Sequence, residues 1–176
     1  MQPFPISTRE ELFLKRTDFI QDKIFSLPQL LKRIAQWKVL NKTVAFTNGV
    51  FDILHPGHIF SLSQAAKEAD YLIVGLNSDS SVTRLKGDNR PVNHQDTRAL
   101  LLASLVIVDA VVIFEEDTPL ELITALKPDV LVKGGDYAIE QIVGAREVIK
   151  AGGRVVINPL IEGYSTTGII KKAKTL

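Results

Sequence analysis

From residue 43 onward the sequence repeats one grammar: a short run of β-branched and apolar residues, then a longer stretch with helical spacing. The runs are VAFT at 44–47, YLIVGL at 71–76, AVVIF at 110–114, VLVK at 130–133 and VVIN at 155–158. Continuous apolar runs of this kind belong to strands covered on both faces. Helices are predicted over 57–69, 94–106, 119–126, 139–151 and 166–173, with legible ends: Asn93 before the second, Thr118-Pro119-Leu120-Glu121 opening the third, Gly152-Gly153 closing the fourth, and Ser165 before the last. Strict alternation of strand and helix predicts an α/β fold, a doubly wound parallel sheet with right-handed crossovers and helices on both faces. Leu100, Leu101, Leu105, Leu120 and Ile123 read as core. The polar stretch NSDSSVTRLKGDNRPV at 77–92 reads as a functional loop with one helical turn.

Before residue 43 two capped amphipathic segments are predicted. Ser7-Thr8-Arg9-Glu10 opens one through Leu12, Phe13, Arg16, Phe19 and Ile20, and Ser26-Leu27-Pro28-Gln29 opens another through Trp37. The chain therefore divides into an N-terminal helical extension, 1–42, and an α/β domain, 43–176. Composition narrows the partners. A formal charge of +1 gives no reason to expect nucleic acid or an anionic membrane. The absence of cysteine removes disulfides, thiolate zinc sites and cysteine nucleophiles. Two prolines and early acids stand where a signal peptide needs an apolar run, and no stretch reaches the ~18 apolar residues of a membrane span. The expectation is a soluble cytoplasmic protein.

In a doubly wound sheet, ligands bind outside the carboxyl ends of the strands. The first strand of the α/β domain ends at Thr47, inside TNGVFDILHPGH at 47–58, which holds two of the chain's three histidines. Asn48 and Gly49 allow a tight turn with open N–H groups, and Gly57 lets a phosphate approach the helix start. His55 and His58, three residues apart, can project from one side of that first turn. Plainer readings stand beside this one: His55 as a turn residue, His58 as a solvated helix residue, Asp52 as a cap, or the histidine pair as part of a zinc site that lacks further ligands. Lys86 and Arg90 flank Gly87 in the polar stretch, which suits either a phosphate-covering loop or a solvated one.

The string G49-V50-F51-D52-x-x-H55-x-G57-H58 resembles the G-x-F-D-x-x-H-x-G-H signature of the cytidylyltransferase-like nucleotidyltransferases. The resemblance extends over most of 43–174, through GLNSD at 75–79, RLKG with Arg90-Pro91, and Tyr164-Ser165-Thr166-Thr167. It implies a Rossmann-like five-stranded parallel sheet in the order 3-2-1-4-5. The combination with FEEDTP, VLVKGGDY and STTGII is similar to the members that make ADP-heptose for bacterial lipopolysaccharide.

The reaction so implied is attack by a sugar 1-phosphate, D-glycero-β-D-manno-heptose 1-phosphate, on the α-phosphorus of ATP, with magnesium arriving on the nucleotide. His55, His58 and Lys86 would be catalytic, neutralising charge on the triphosphate. Thr47, Asn48, Gly49, Val50, Phe51 and Gly57 would hold the nucleotide from the end of the first strand and the helix start after it, Lys133, Gly134, Gly135 and Asp136 from the end of the fourth, and Ser165, Thr166 and Thr167 from the start of the last helix. Asp52, Asp79, Arg90 and Arg98 would meet the sugar phosphate, the two aspartates close to any magnesium ion. A homodimer is expected, and 42 residues before the first strand cannot hold a sugar kinase, so that activity is expected from another gene. Two alternatives remain: a cytidylyltransferase for another phosphorylated alcohol such as glycerol 3-phosphate, and a nucleotide-binding regulatory module without turnover.

Overall fold

The computed structural model describes residues 17–159, 163–173 and 175. Six parallel strands form one sheet: β1 (Ile24–Phe25), β2 (Val44–Gly49), β3 (Tyr71–Asn77), β4 (Ala110–Phe114), β5 (Val130–Gly134) and β6 (Arg154–Asn158). Their order is β1-β4-β3-β2-β5-β6. The five expected strands therefore take the expected order, and a sixth is added at one edge. Residues Ile24 and Phe25 pair with Val111 and Val112 and cover the edge that β4 would otherwise expose. Two residues carry no periodicity, and they fall between the two helical segments expected in the N-terminal extension, where no strand is expected. The described part of the N-terminal region is a 3-10 helix (Thr17–Lys23), β1 and α1 (Leu27–Val39). The predicted start at Ser7 and the residues Leu12, Phe13 and Arg16 lie outside the described residues.

Alternation along each strand sends side chains to two apolar layers. On one face Phe46, Ile73, Val112 and Leu131 pack with Leu30, Ile34 and Trp37 of α1 and with Leu122 and Ile123 of α5 (Leu120–Leu126). Trp37 stacks on Tyr71 with ring centroids 4.1 Å apart, which fixes α1 against the sheet. On the other face Leu72, Val74, Val111 and Val132 meet Leu62 of α2 (Pro56–Ala66) and Leu102 of α4 (Gln95–Ala103). Ile123 is buried as expected, whereas Leu100, Leu101 and Leu120 are exposed. The face that α4 buries carries Arg98, Ala99, Leu102 and Ala103, so a charged residue, invisible to an apolar count, sets its orientation.

Two helical segments differ from the sequence reading. The 77–92 stretch is not a loop with one turn but contains α3 (Asp79–Lys86), whose N-cap Ser78 accepts from the Ser81 N–H at 3.2 Å through its hydroxyl. Val82 is its one large buried apolar side chain, so no apolar stripe announced it. The helix predicted over 139–151 is split into a 3-10 turn (Ile139–Gln141) and α6 (Ala145–Lys150) by Gly144, whose φ is 84°. A Cβ at Gly144 would also lie 2.6 Å from Cδ1 of Ile123, so the close approach to α5 requires glycine. The last helix, α7 (Thr166–Ala173), is capped by Ser165, whose hydroxyl accepts from the Gly168 N–H at 3.0 Å. Among the described residues no helix is long and apolar enough to cross a membrane.

Candidate active site

The carboxyl ends of β2, β3 and β5 and the start of α2 enclose one cleft. Beyond β2, Phe51 takes a positive φ of 45°, which turns the chain back toward the helix start. Pro56 occupies the first turn of α2, and His55 is its N-cap, with Nδ1 accepting from the His58 N–H at 3.4 Å. The two imidazoles stack, centroids 3.7 Å apart and 18° from parallel, and His58 also leans on Phe51. A Cβ on Gly57 would stand 3.1 Å from the His55 ring and 3.3 Å from Cβ of Tyr164. Glycine there lets the histidine pair and the 163–165 turn close on one another.

Burial pushes the His58 pKa down to about 4, with the neighbouring His55 adding to the shift and the Ile53 carbonyl opposing it. Burial also lowers His55. His58 is therefore neutral at pH 7 and can donate a hydrogen bond without carrying charge. Its Nδ1 is buried and makes no hydrogen bond among the described residues. Because the unfolded imidazole binds its proton below pH 6.5 and the folded one only below about 4, stability is lost as pH falls through that window. An NMR titration of the ligand-free protein is expected to place the His58 midpoint near 4. The thermal midpoint is expected to drop between pH 6.5 and 4, less steeply in His58→Gln. A His58 midpoint at its ordinary value would contradict the packing described.

The cleft has two chambers. The first, about 430 Å³, is bounded by His55, Gly57 and His58 at the start of α2, by Thr47, Asn48 and Gly49 of β2 with Val50 and Phe51 beyond it, and by Tyr164, Ser165 and Thr166 from the far wall. The second, about 330 Å³, lies toward β3 and α3 and is bounded by Asn77, Lys86, Asp117, Thr118 and Gln141. Asn48, Gly49, Val50, Lys133 and Tyr137 line both. Lys133 sits where the chambers meet, with Nζ 3.4 Å from Asn48 Oδ1 and its pKa lowered by burial. Lys86 thus faces the second chamber, away from the histidines. Gly134 lines the first chamber, but Gly135, Asp136 and Thr167 line neither. Gly135 has φ 129° beneath the Tyr137 ring, which a Cβ would meet at 2.6 Å, while Asp136 and Thr167 are exposed.

The four residues expected at the sugar phosphate are engaged mainly with protein groups. Asp52 is buried and accepts from Arg90 Nε at 2.6 Å and from the N–H groups of Val92 and Asn93. Burial alone would raise its pKa, but those N–H groups and Arg90 outweigh it and hold the carboxyl below its ordinary value. Asn93 does not cap α4; His94 stands at that position, and the Asn93 side chain donates to the Asp52 carbonyl at 2.6 Å. Arg98 is fully buried and donates to the carbonyls of Asn93 and Val50 and to Asp79 Oδ1, at 2.9, 2.6 and 2.7 Å. Asp79 also faces His94 at 3.2 Å. At Asp79 too, burial is opposed by Arg98, Gln95 and His94, and the net pKa is lowered. Of the four, Arg90 keeps guanidinium nitrogens without a partner among the described residues.

Asp52 is thus closed off by protein groups, while Asp79, about a third exposed, shares its oxygens between Arg98 and the exposed His94. Among the described residues no group of three or more histidine, aspartate or glutamate side chains could hold a metal ion. Asn77, Ser61, Tyr137, Thr118 and Gln141 line the cleft without having been given a site role from the sequence. The available signal was register: Asn77 ends β3 one residue beyond Leu76, which pairs with Gly49 of β2, and so reaches the same rim.

Residues 46–172 match the family described as cytidylyltransferase-like. The chain is 56% identical over 154 residues to the bifunctional protein HldE of Mesorhizobium japonicum, a match covering 88% of this chain and 31% of that protein. It is 50% identical over 171 residues to HldE of Rhodopseudomonas palustris strain HaA2, covering 97% of this chain and 35% of the relative. The chain thus spans about a third of the length of these curated relatives. Among solved structures, a lipopolysaccharide core biosynthesis protein from Thermoplasma volcanium superposes with TM-score 0.55 at 29% identity, over 70% of this chain and 99% of that one. A pantoate-β-alanine ligase from Francisella tularensis superposes with TM-score 0.58 over 86% and 76% of the two chains; at 16% identity it shares the fold alone.

Proposed function

The chain belongs to the cytidylyltransferase-like nucleotidyltransferases, and on that premise we propose that it transfers AMP from ATP to a sugar 1-phosphate. The acceptor we assign is D-glycero-β-D-manno-heptose 1-phosphate, giving ADP-heptose and pyrophosphate. The observation that carries the reading is the neutral, stacked His55–His58 pair at the N-terminus of α2, in a cleft whose second chamber opens past Lys133. The acceptor rests on the motif combination in the sequence and on the likeness to HldE and to a lipopolysaccharide core biosynthesis protein.

An oxygen of the acceptor phosphate attacks the α-phosphorus of ATP, a new P–O bond forms, and the bond to the β-phosphate oxygen breaks as pyrophosphate leaves with the electron pair. A phosphate monoester is already a competent nucleophile, so the protein has to align two anions and neutralise the charge that develops between them. In this reading MgATP lies in the first chamber, its phosphates against the α2 N-terminus, where N–H groups and the helix dipole favour anions. His55 and His58 donate to the phosphate oxygens as neutral imidazoles. Lys133, at the junction, is within reach of both reactants, and its partial burial strengthens each contact it makes. Lys86 and Arg90 then serve the acceptor side, which moves Lys86 from the triphosphate role that the resemblance implied.

The experiment incubates the protein with magnesium, each of four NTPs and a panel of sugar 1-phosphates and polyol phosphates, and measures pyrophosphate. The expected result is release with ATP and the heptose 1-phosphate. Release only with CTP and glycerol 3-phosphate would overturn the acceptor assignment, and no release with any pair would overturn the enzymatic reading.

A further inference from the structure

Asn77 ends β3 at the wall of the second chamber and is 4% exposed. Its Nδ2 donates to Ser81 Oγ at 3.0 Å, and Ser81 Oγ donates in turn to the carbonyl of Glu116 at 3.0 Å. A serine hydroxyl has one proton. Because that proton is committed to Glu116, Ser81 can only accept from Asn77, and the amide orientation follows from the chemistry: Nδ2 toward Ser81, Oδ1 away from it. Oδ1 has no partner among the described residues, in a chamber whose charged lining includes Lys86 and Lys133. A buried amide held in one orientation, with an acceptor oxygen left open, is poised to receive a hydroxyl proton.

We propose that Asn77 is a specificity residue for the acceptor, its Oδ1 accepting a hydrogen bond from one sugar hydroxyl while the acceptor phosphate is held by Lys86 and Lys133. The inference rests on the sugar-phosphate reading above and adds to it a class of recognition: the acceptor must be polyhydroxylated, with a donor hydroxyl within reach of its own phosphate. Ser81 is a positioning residue that acts through Asn77. Thr118, across the same chamber, supplies a second hydroxyl that can give or take a hydrogen bond. Recognition by a fixed amide discriminates against analogues that lack the hydroxyl, because the oxygen, open to the chamber in the free protein, is then cut off from water by the bound sugar with no partner in exchange.

The test measures pyrophosphate release by the whole chain with ATP and the heptose 1-phosphate, then with a series of monodeoxy analogues of that acceptor. One analogue is expected to lose about tenfold or more in kcat/KM with the wild-type protein. Asn77→Ala is expected to show about the same loss with the parent acceptor and no further loss with that analogue, while KM for ATP stays within about twofold. Ser81→Ala keeps Asn77 but frees its amide, so a smaller loss confined to the acceptor is expected, and this variant decides the matter should Asn77→Ala fail to fold. Equal changes in the ATP and acceptor constants, or a wild-type protein indifferent to every missing hydroxyl, would overturn the assignment while leaving the transferase reading intact. A wild-type protein inactive with every phosphate acceptor would remove both.

Discussion

Replacing His58 with alanine is expected to lower turnover by about 100-fold or more while changing KM for ATP by only a few-fold. The imidazole is neutral, so in the ground state it offers the triphosphate one hydrogen bond of ordinary strength; that bond strengthens as negative charge accumulates around the α-phosphorus. Its value is therefore realised mainly in the transition state. His55→Ala should behave similarly, and the double variant should lose much less than the product of the two, because the stacked rings orient one another at 3.7 Å. Turnover and KM deteriorating in parallel would instead make His58 a ground-state binding residue. Steady-state kinetics with ATP varied at saturating acceptor distinguishes the two.

Arg98→Met is expected to destabilise the fold by about 3 kcal/mol, at the lower end of what removing one member of a buried ion pair costs. The substitution strands the carbonyls of Val50 and Asn93 and leaves Asp79 without its strongest partner; Asp79 remains about a third exposed, which limits the loss. Urea denaturation followed by circular dichroism measures the shift in midpoint. A substrate-binding role, as the motif implied for Arg98, predicts the reverse pattern: unchanged stability and a raised KM for the acceptor. The distinction matters because Val50 lies on the cleft wall, and the arginine that fixes its carbonyl also ties α4 to the start of α3.

The five long strands were legible because each is a continuous apolar run, and their alternation with helices leaves one sensible architecture. β1 was not legible, since a two-residue strand has no period and depends on the open edge of β4, a tertiary fact. α3 was hidden by its polarity, and the break at Gly144 is imposed by contact with Ile123. At the cleft, His55, His58, Gly57, Ser165 and Lys133 fall together as the rim argument required. Asp52, Asp79 and Arg98 line neither chamber: a motif records which residues stand at a rim but not which way they point. A carboxylate followed by backbone N–H groups some 40 residues later in the chain becomes a structural clamp only once the fold brings Val92 and Asn93 onto it. Asn77 shows the converse: a residue within a legible motif whose open acceptor is visible only from the Ser81–Glu116 chain of hydrogen bonds.

The central claim is transfer of AMP onto an oxygen of the acceptor phosphate, and isotope placement tests it in one measurement. The heptose 1-phosphate is prepared with its non-bridging phosphate oxygens labelled with oxygen-18, the reaction is run with unlabelled ATP and magnesium, and the products are weighed by mass spectrometry. The account predicts ADP-heptose that retains all of the label, one labelled oxygen now bridging the two phosphorus atoms, together with unlabelled pyrophosphate. Label in the pyrophosphate, or the absence of any nucleoside diphosphate sugar, would contradict it.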